Sequence, residues 1–203
     1  MYKRMAIHCT NFFINKNIVD IEKRDIHIYG FEILISSLFY LLYFLVLSVI
    51  SQTLLPSICF FLGLFIIRKV AGGHHSKSYK SCHILFSINH ILFIALYYIV
   101  PQKSYSYVVS LILFVAVLSL WFIAPVDHIN KPFIKNEYKK YKILSIIYGF
   151  LLALLITFLL TNNIYAHKHL FSFTIGSLSA VSSLLIGKIT RIKERKHYEK
   201  NAS

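Results

Sequence analysis

Residues 71–83 read AGGHHSKSYKSCH and gather most of the reactive side-chain types into thirteen positions. Cys82 carries a thiol that becomes a nucleophile once deprotonated. Arg68, Lys69, Lys77 and Lys80 place positive charge close to it in sequence, which favours the thiolate. A helix that begins here adds the partial positive charge of its N-terminus. Three imidazoles, His74, His75 and His83, are candidate bases. His83 adjoins Cys82, and adjacent side chains on a helix do not face each other. His75 precedes Cys82 by seven residues, about 10.5 Å along a continuous helix, which is too far for a hydrogen bond. A Cys–His pair therefore requires the chain to fold back between them. Gly72 and Gly73 provide backbone freedom just before the histidines, and Ser76, Ser78 and Ser81 suit turns and helix starts.

The same residues support other readings. The histidines can be plain polar loop residues at an interface. His74, His75, Cys82, His83 and His90 are also types that bind zinc or haem, although the chain contains neither C-x₂-C nor H-E-x-x-H. Cys82 can also be an inert buried thiol, although its charged neighbours argue against that. Spacing alone leaves these alternatives open.

The surrounding elements are apolar. Of 203 residues 57% are hydrophobic, and the polar residues lie between long apolar runs rather than alternating with them. Runs at 31–50, 54–67, 83–100, 106–124, 143–161 and 170–187 predict six transmembrane helices. The second is short enough to be re-entrant instead. All but Lys103 and Lys168 of the 22 Lys and Arg residues fall in 1–30, 68–82, 125–142 and 188–203. These are alternate connections, so the positive-inside rule predicts both termini and the His/Cys patch in the cytoplasm. That topology, with attraction to anionic headgroups, accounts for the net charge of +14. Nucleic acid is accordingly not an expected partner. The first 27 residues lack the apolar core of a signal peptide, so the first span is expected to direct insertion.

The expected fold is all-α and polytopic. An amphipathic interfacial helix lies within 1–30, where Ile7, Phe12, Phe13, Ile14 and Ile18 alternate with Lys3, Arg4, Asn11, Lys16 and Asn17. Gly30 breaks this segment before Glu32 opens the first span. Residues 31–187 form the membrane domain, and 188–203 a basic tail. Cys9, Cys59 and Cys82 are three in number and irregularly spaced, which argues against a disulfide framework.

Arg68, Gly73, His75 and then Cys82 after seven residues resemble the signature of the accessory gene regulator B (AgrB) family. These are bacterial membrane endopeptidases that process quorum-sensing propeptides. IYGFEIL (28–34) is similar to the segment leading into the family's first span, and APVDHINKP (124–132) to its cytoplasmic loop. The resemblance implies a cysteine endopeptidase with Cys82 as nucleophile and His75 as general base, supported by Arg68 and Gly73. His74 stands where the family often has a small residue. Glu32 is a candidate to orient the imidazole, or else a carboxylate paired with Arg68 or a lysine. The implied substrate is an AgrD-type propeptide whose acidic tail would meet Lys77, Lys80 and Lys131. The product would be a thiolactone or lactone autoinducing peptide. Expected partners also include the lipid bilayer and a second copy of the chain in a homodimer. No cofactor or metal is expected, and the sequence has no G-x-x-x-x-G-K-[ST] phosphate loop. The competing reading is a small non-catalytic channel, transporter or metal- or haem-binding membrane protein, for which ionisable residues buried in mid-span would speak. His90 is the main residue of that kind.

Overall fold

The computed structural model describes residues 2–72, 79–126, 135–161 and 167–202, with the side chains of 79, 80, 135 and 194–202 left aside. Seven α-helices account for nearly all of them: α1 Tyr2–Asn15, α2 Arg24–Ile50, α3 Leu54–Ala71, α4 Tyr79–Ile99, α5 Tyr105–Phe122, α6 Lys135–Thr161 and α7 His167–Ala202. The six from α2 onward are long and apolar enough to cross a membrane. Helix α3 lengthens the short second run. It continues through Arg68 and Lys69 to Ala71, and its 18 residues reach about 27 Å at 1.5 Å per residue. Gly30 does not interrupt the chain: α2 runs unbroken from Arg24, because an exposed glycine costs a helix only about 1 kcal/mol.

The chain divides into two compact units. The first comprises α1, α2 and the opening turns of α4, through Ser87. Here α1 is one-sided: Ala6 and Thr10 are buried, while Lys3, Arg4, His8 and Asn11 are exposed. It runs antiparallel to α2, with Tyr2 against Phe39 at one end and Phe13 stacked on Phe31 at the other. Ala6, Ile28 and Ile35 form the core between them. The α1 stripe is thus partnered by α2.

The second unit holds α3, the remainder of α4 from Ile88, and α5–α7. Helix α7 packs on α3 and α5, and α6 on α5 and α3. Lipid offers no hydrophobic drive for helices to associate, so close backbone approach through small residues has to supply the packing. The α3–α7 crossing shows this. A Cβ on Gly63 would lie 2.0 Å from the Phe173 carbonyl oxygen, and one on Gly176 would lie 1.9 Å from that of Phe60. Nearby, Tyr105 stacks on Phe171 at 4.3 Å and donates from its hydroxyl to the Tyr97 carbonyl. Serine and threonine hydroxyls along the spans donate to carbonyls one turn back, as in Ser48 to Phe44 and Ser172 to Lys168. That satisfies groups which lipid cannot. Apolar side chains such as Leu41, Val46, Ile91, Phe114, Phe150 and Phe158 cover the outside.

Candidate active site

The approach to the polar patch is built in the second unit. Helix α3 ends in a cluster of Ile67, Ala71, Leu120, Ala124, Val126, Ala180 and Leu184, which fixes its last turn. The Val126 amide donates to the Ala71 carbonyl at 3.0 Å, and Gly72 and Val126 form an isolated parallel bridge. Gly72 has φ +77°, and a Cβ there would meet the Val126 carbonyl oxygen at 2.3 Å. Glycine is required twice over, by its conformation and by the space. The Ala-Pro-Val segment is itself held by Lys142, whose ammonium donates to the carbonyls of Trp121 and Ala124. A cation at the C-terminus of α5 also answers the dipole of that helix. Arg68 lies in the last turn of α3, half-buried, and its carbonyl accepts from the Gly72 amide.

Gly73, His74, His75, Lys77 and Lys131 fall outside the described residues, as does the side chain of Lys80. Cys82 is described. It lies in the first turn of α4, partly buried and in no disulfide, within electrostatic range of the Tyr40 hydroxyl on α2. The same Tyr40 ring stacks on His83 at 5.4 Å and 21°, and tilts against Phe86 at 5.6 Å. Tyr2, from α1, meets the His83 ring edge-on at 6.3 Å. His83, next to Cys82 in the chain, is therefore set among the rings of Tyr2 and Tyr40.

Glu32 is half-buried on α2, on the same face as Tyr40 but two turns earlier, about 12 Å along the axis. The ion pairs among the described residues, Lys23–Asp20 and Arg24–Asp25, do not include it. Among the described residues no three His, Cys, Asp or Glu side chains gather as a metal ion would need. Tyr40 is the site residue that sequence reading overlooks. Its only signal is a phenol hydroxyl, shared with Tyr43, in an otherwise Leu- and Phe-rich run.

His90, the mid-span ionisable residue, is fully buried in the second unit. Its Nε2 lies 3.0 Å from the Ser57 hydroxyl, which in turn lies 3.1 Å from that of Thr53. The ring stacks beside Phe60 and Phe93. This polar chain ties α4 to the N-terminal turn of α3. A groove of about 400 Å³ between α5 and α6 is lined mainly by apolar side chains, among them Leu120, Trp121 and Phe150.

Six membrane-length helices and a thiol at the start of one of them define a multi-pass membrane protein with a candidate nucleophile. The family model for accessory gene regulator B matches residues 6–186, so the chain belongs to the accessory gene regulator B family. It is 30% identical over 129 residues to AgrB-like protein 2 of Clostridium perfringens strain 13, covering 60% of this chain and 58% of that one. It is 32% identical over 120 residues to protein FsrB of Enterococcus faecalis, covering 54% and 48% respectively. The chain thus spans about half to three fifths of the curated relatives it matches. No solved structure matches it.

Proposed function

We propose that this protein is a membrane-embedded cysteine endopeptidase that cuts a short AgrD-type propeptide near its C-terminus and promotes ring closure to a quorum-sensing peptide. The observation that carries this reading is the setting of Cys82. In a chain of this family, the thiol sits half-buried in the first turn of a spanning helix, where the dipole favours a thiolate.

In this mechanism His75 takes the thiol proton and Cys82 sulfur attacks the scissile carbonyl. The C–N bond breaks, the leaving amine takes the proton back from His75, and an acyl-thioester on Cys82 remains. An internal Cys or Ser of the peptide then attacks that thioester, releasing Cys82 and closing a thiolactone or lactone. Gly73 and Arg68 are supporting residues of the motif, and Glu32 is the carboxylate proposed to orient the imidazole. Lys77, Lys80 and Lys131 attract the acidic tail of the substrate. The site and both termini face the cytoplasm in this reading, and a second copy of the chain completes a homodimer.

The test replaces Cys82 by Ser. The variant is expected to bind propeptide without releasing its C-terminal fragment, because a serine hydroxyl is far less acidic than a thiol. Wild-type protein should form a hydroxylamine-sensitive adduct whose mass equals the propeptide lacking that fragment. Cleavage by Cys82→Ser at the wild-type rate, or no such adduct under turnover, rejects the proposal.

A further inference from the structure

His83 is the one described histidine whose two ring nitrogens are both buried without a hydrogen-bond partner. Such orphans are rare in folded proteins, since each forfeits its solvation and gains nothing in return. Phenylalanine would stack on Tyr40 and pack against Tyr2 equally well, with no such cost. The imidazole is therefore unexplained by packing. It lies directly after Cys82 in the chain, and its ring stacks on that of Tyr40. In either neutral tautomer it keeps one N–H to donate. The stack on Tyr40 and the edge contact with Tyr2 limit how the ring can turn.

We infer that the His83 N–H is the hydrogen-bond donor for the scissile carbonyl oxygen of the peptide when Cys82 attacks it. This rests on the peptidase reading above and adds a substrate-touching residue to it. As the S–C bond forms, the carbonyl π electrons move onto oxygen, and the new negative charge lies against the imidazole N–H. When the C–N bond breaks, that pair returns to the carbonyl, and His83 has exchanged no proton. A donor held in place before the reaction needs no reorganisation in the transition state, which is why such groups matter so much. The carbonyl reaches the ring by displacing the Tyr2 edge at the end of α1. Tyr40 stays as the fixed wall that orients the imidazole. The role of His83 differs from that of His75: it stabilises oxygen and leaves the thiol proton alone.

The experiment compares His83→Phe and His83→Gln in protein whose Cys9 and Cys59 are replaced by serine. The probe is a synthetic AgrD-type propeptide carrying a C-terminal fluorophore. His83→Phe is expected to unfold at the same or a higher temperature and to bind the propeptide normally. Iodoacetamide should alkylate its Cys82 at the unchanged rate. Fragment release in a single turnover should fall about 100- to 1000-fold, the usual loss for one oxyanion donor. His83→Gln, which restores an N–H, should recover at least about tenfold of that. Fragment release by His83→Phe within about threefold of wild type overturns the inference. So does a parallel loss of Cys82 alkylation, which would make His83 a base for the thiol. Cys82→Ala separates the two claims. If it still releases fragment, the peptidase reading itself falls; if it is inactive while His83→Phe is active, only the His83 assignment does.

Discussion

Gly63→Ala is the most direct test of how the second unit is assembled. The added methyl would lie 2.0 Å from the Phe173 carbonyl oxygen, 3.0 Å from its carbon and 3.2 Å from the Ser177 amide. An ordinary C···O contact is about 3.3 Å, so α3 and α7 must part locally by about 1.3 Å. Overpacking costs about 1–3 kcal/mol, and an obstacle made of backbone cannot rotate away, so we expect about 3 kcal/mol. That is roughly a 150-fold shift in the unfolding equilibrium, at tenfold per 1.4 kcal/mol. Gly176→Ala meets the Phe60 carbonyl oxygen at 1.9 Å across the same crossing and should cost as much. Once one methyl has parted the helices the second adds less, so the double variant should fall short of the sum by at least about 1 kcal/mol. Denaturant unfolding in mixed micelles measures all three. Gly30→Ala is the control: its Cβ meets nothing within 4 Å on an exposed helix position, and it should be neutral or stabilising by about 0.5–1 kcal/mol. If Gly63→Ala unfolds within about 0.5 kcal/mol of wild type, the helices are not packed backbone to backbone and the crossing is wrong.

Three further outcomes are expected. Gly72→Ala combines a strained φ with a clash at Val126, so it should lower stability by about 1–3 kcal/mol and fragment release with it; hydrogen exchange at the Val126 amide reads the lost bond to Ala71. A double-mutant cycle of Ser57→Ala and His90→Phe in the same unfolding assay should give a coupling of about 0.6 kcal/mol, the average for such hydrogen bonds in membranes, and no more than about 1.7 kcal/mol. His75→Ala should abolish fragment release while the protein still accumulates in the membrane, and His74→Ala should retain measurable release; equal losses would mean the base is misassigned.

Much of this architecture was legible in residue order because it depends on local quantities. The length of an apolar run decides whether a helix spans, and all six runs became helices; the second needed only Arg68–Ala71 to complete its length. The start of α4 just before Cys82 followed from the serines and the change in polarity, and the one-sidedness of α1 from its charged and apolar alternation. Gly30 misled because a single glycine reads as a break, yet an otherwise strong helix absorbs it.

What tertiary structure alone decided is which faces meet. The spanning helices are apolar all round, so periodicity does not tell a lipid-facing side from a buried one, whereas in water that contrast orients every helix. Nothing local announces that Gly63 faces Phe173, that Gly72 seats under Val126, or that the Tyr40 ring stacks on His83. The motif made Cys82 a candidate nucleophile. The unpartnered imidazole beside it became visible only when α1, α2 and α4 enclosed it, because burial and hydrogen-bond satisfaction are properties of the packed molecule and not of the chain.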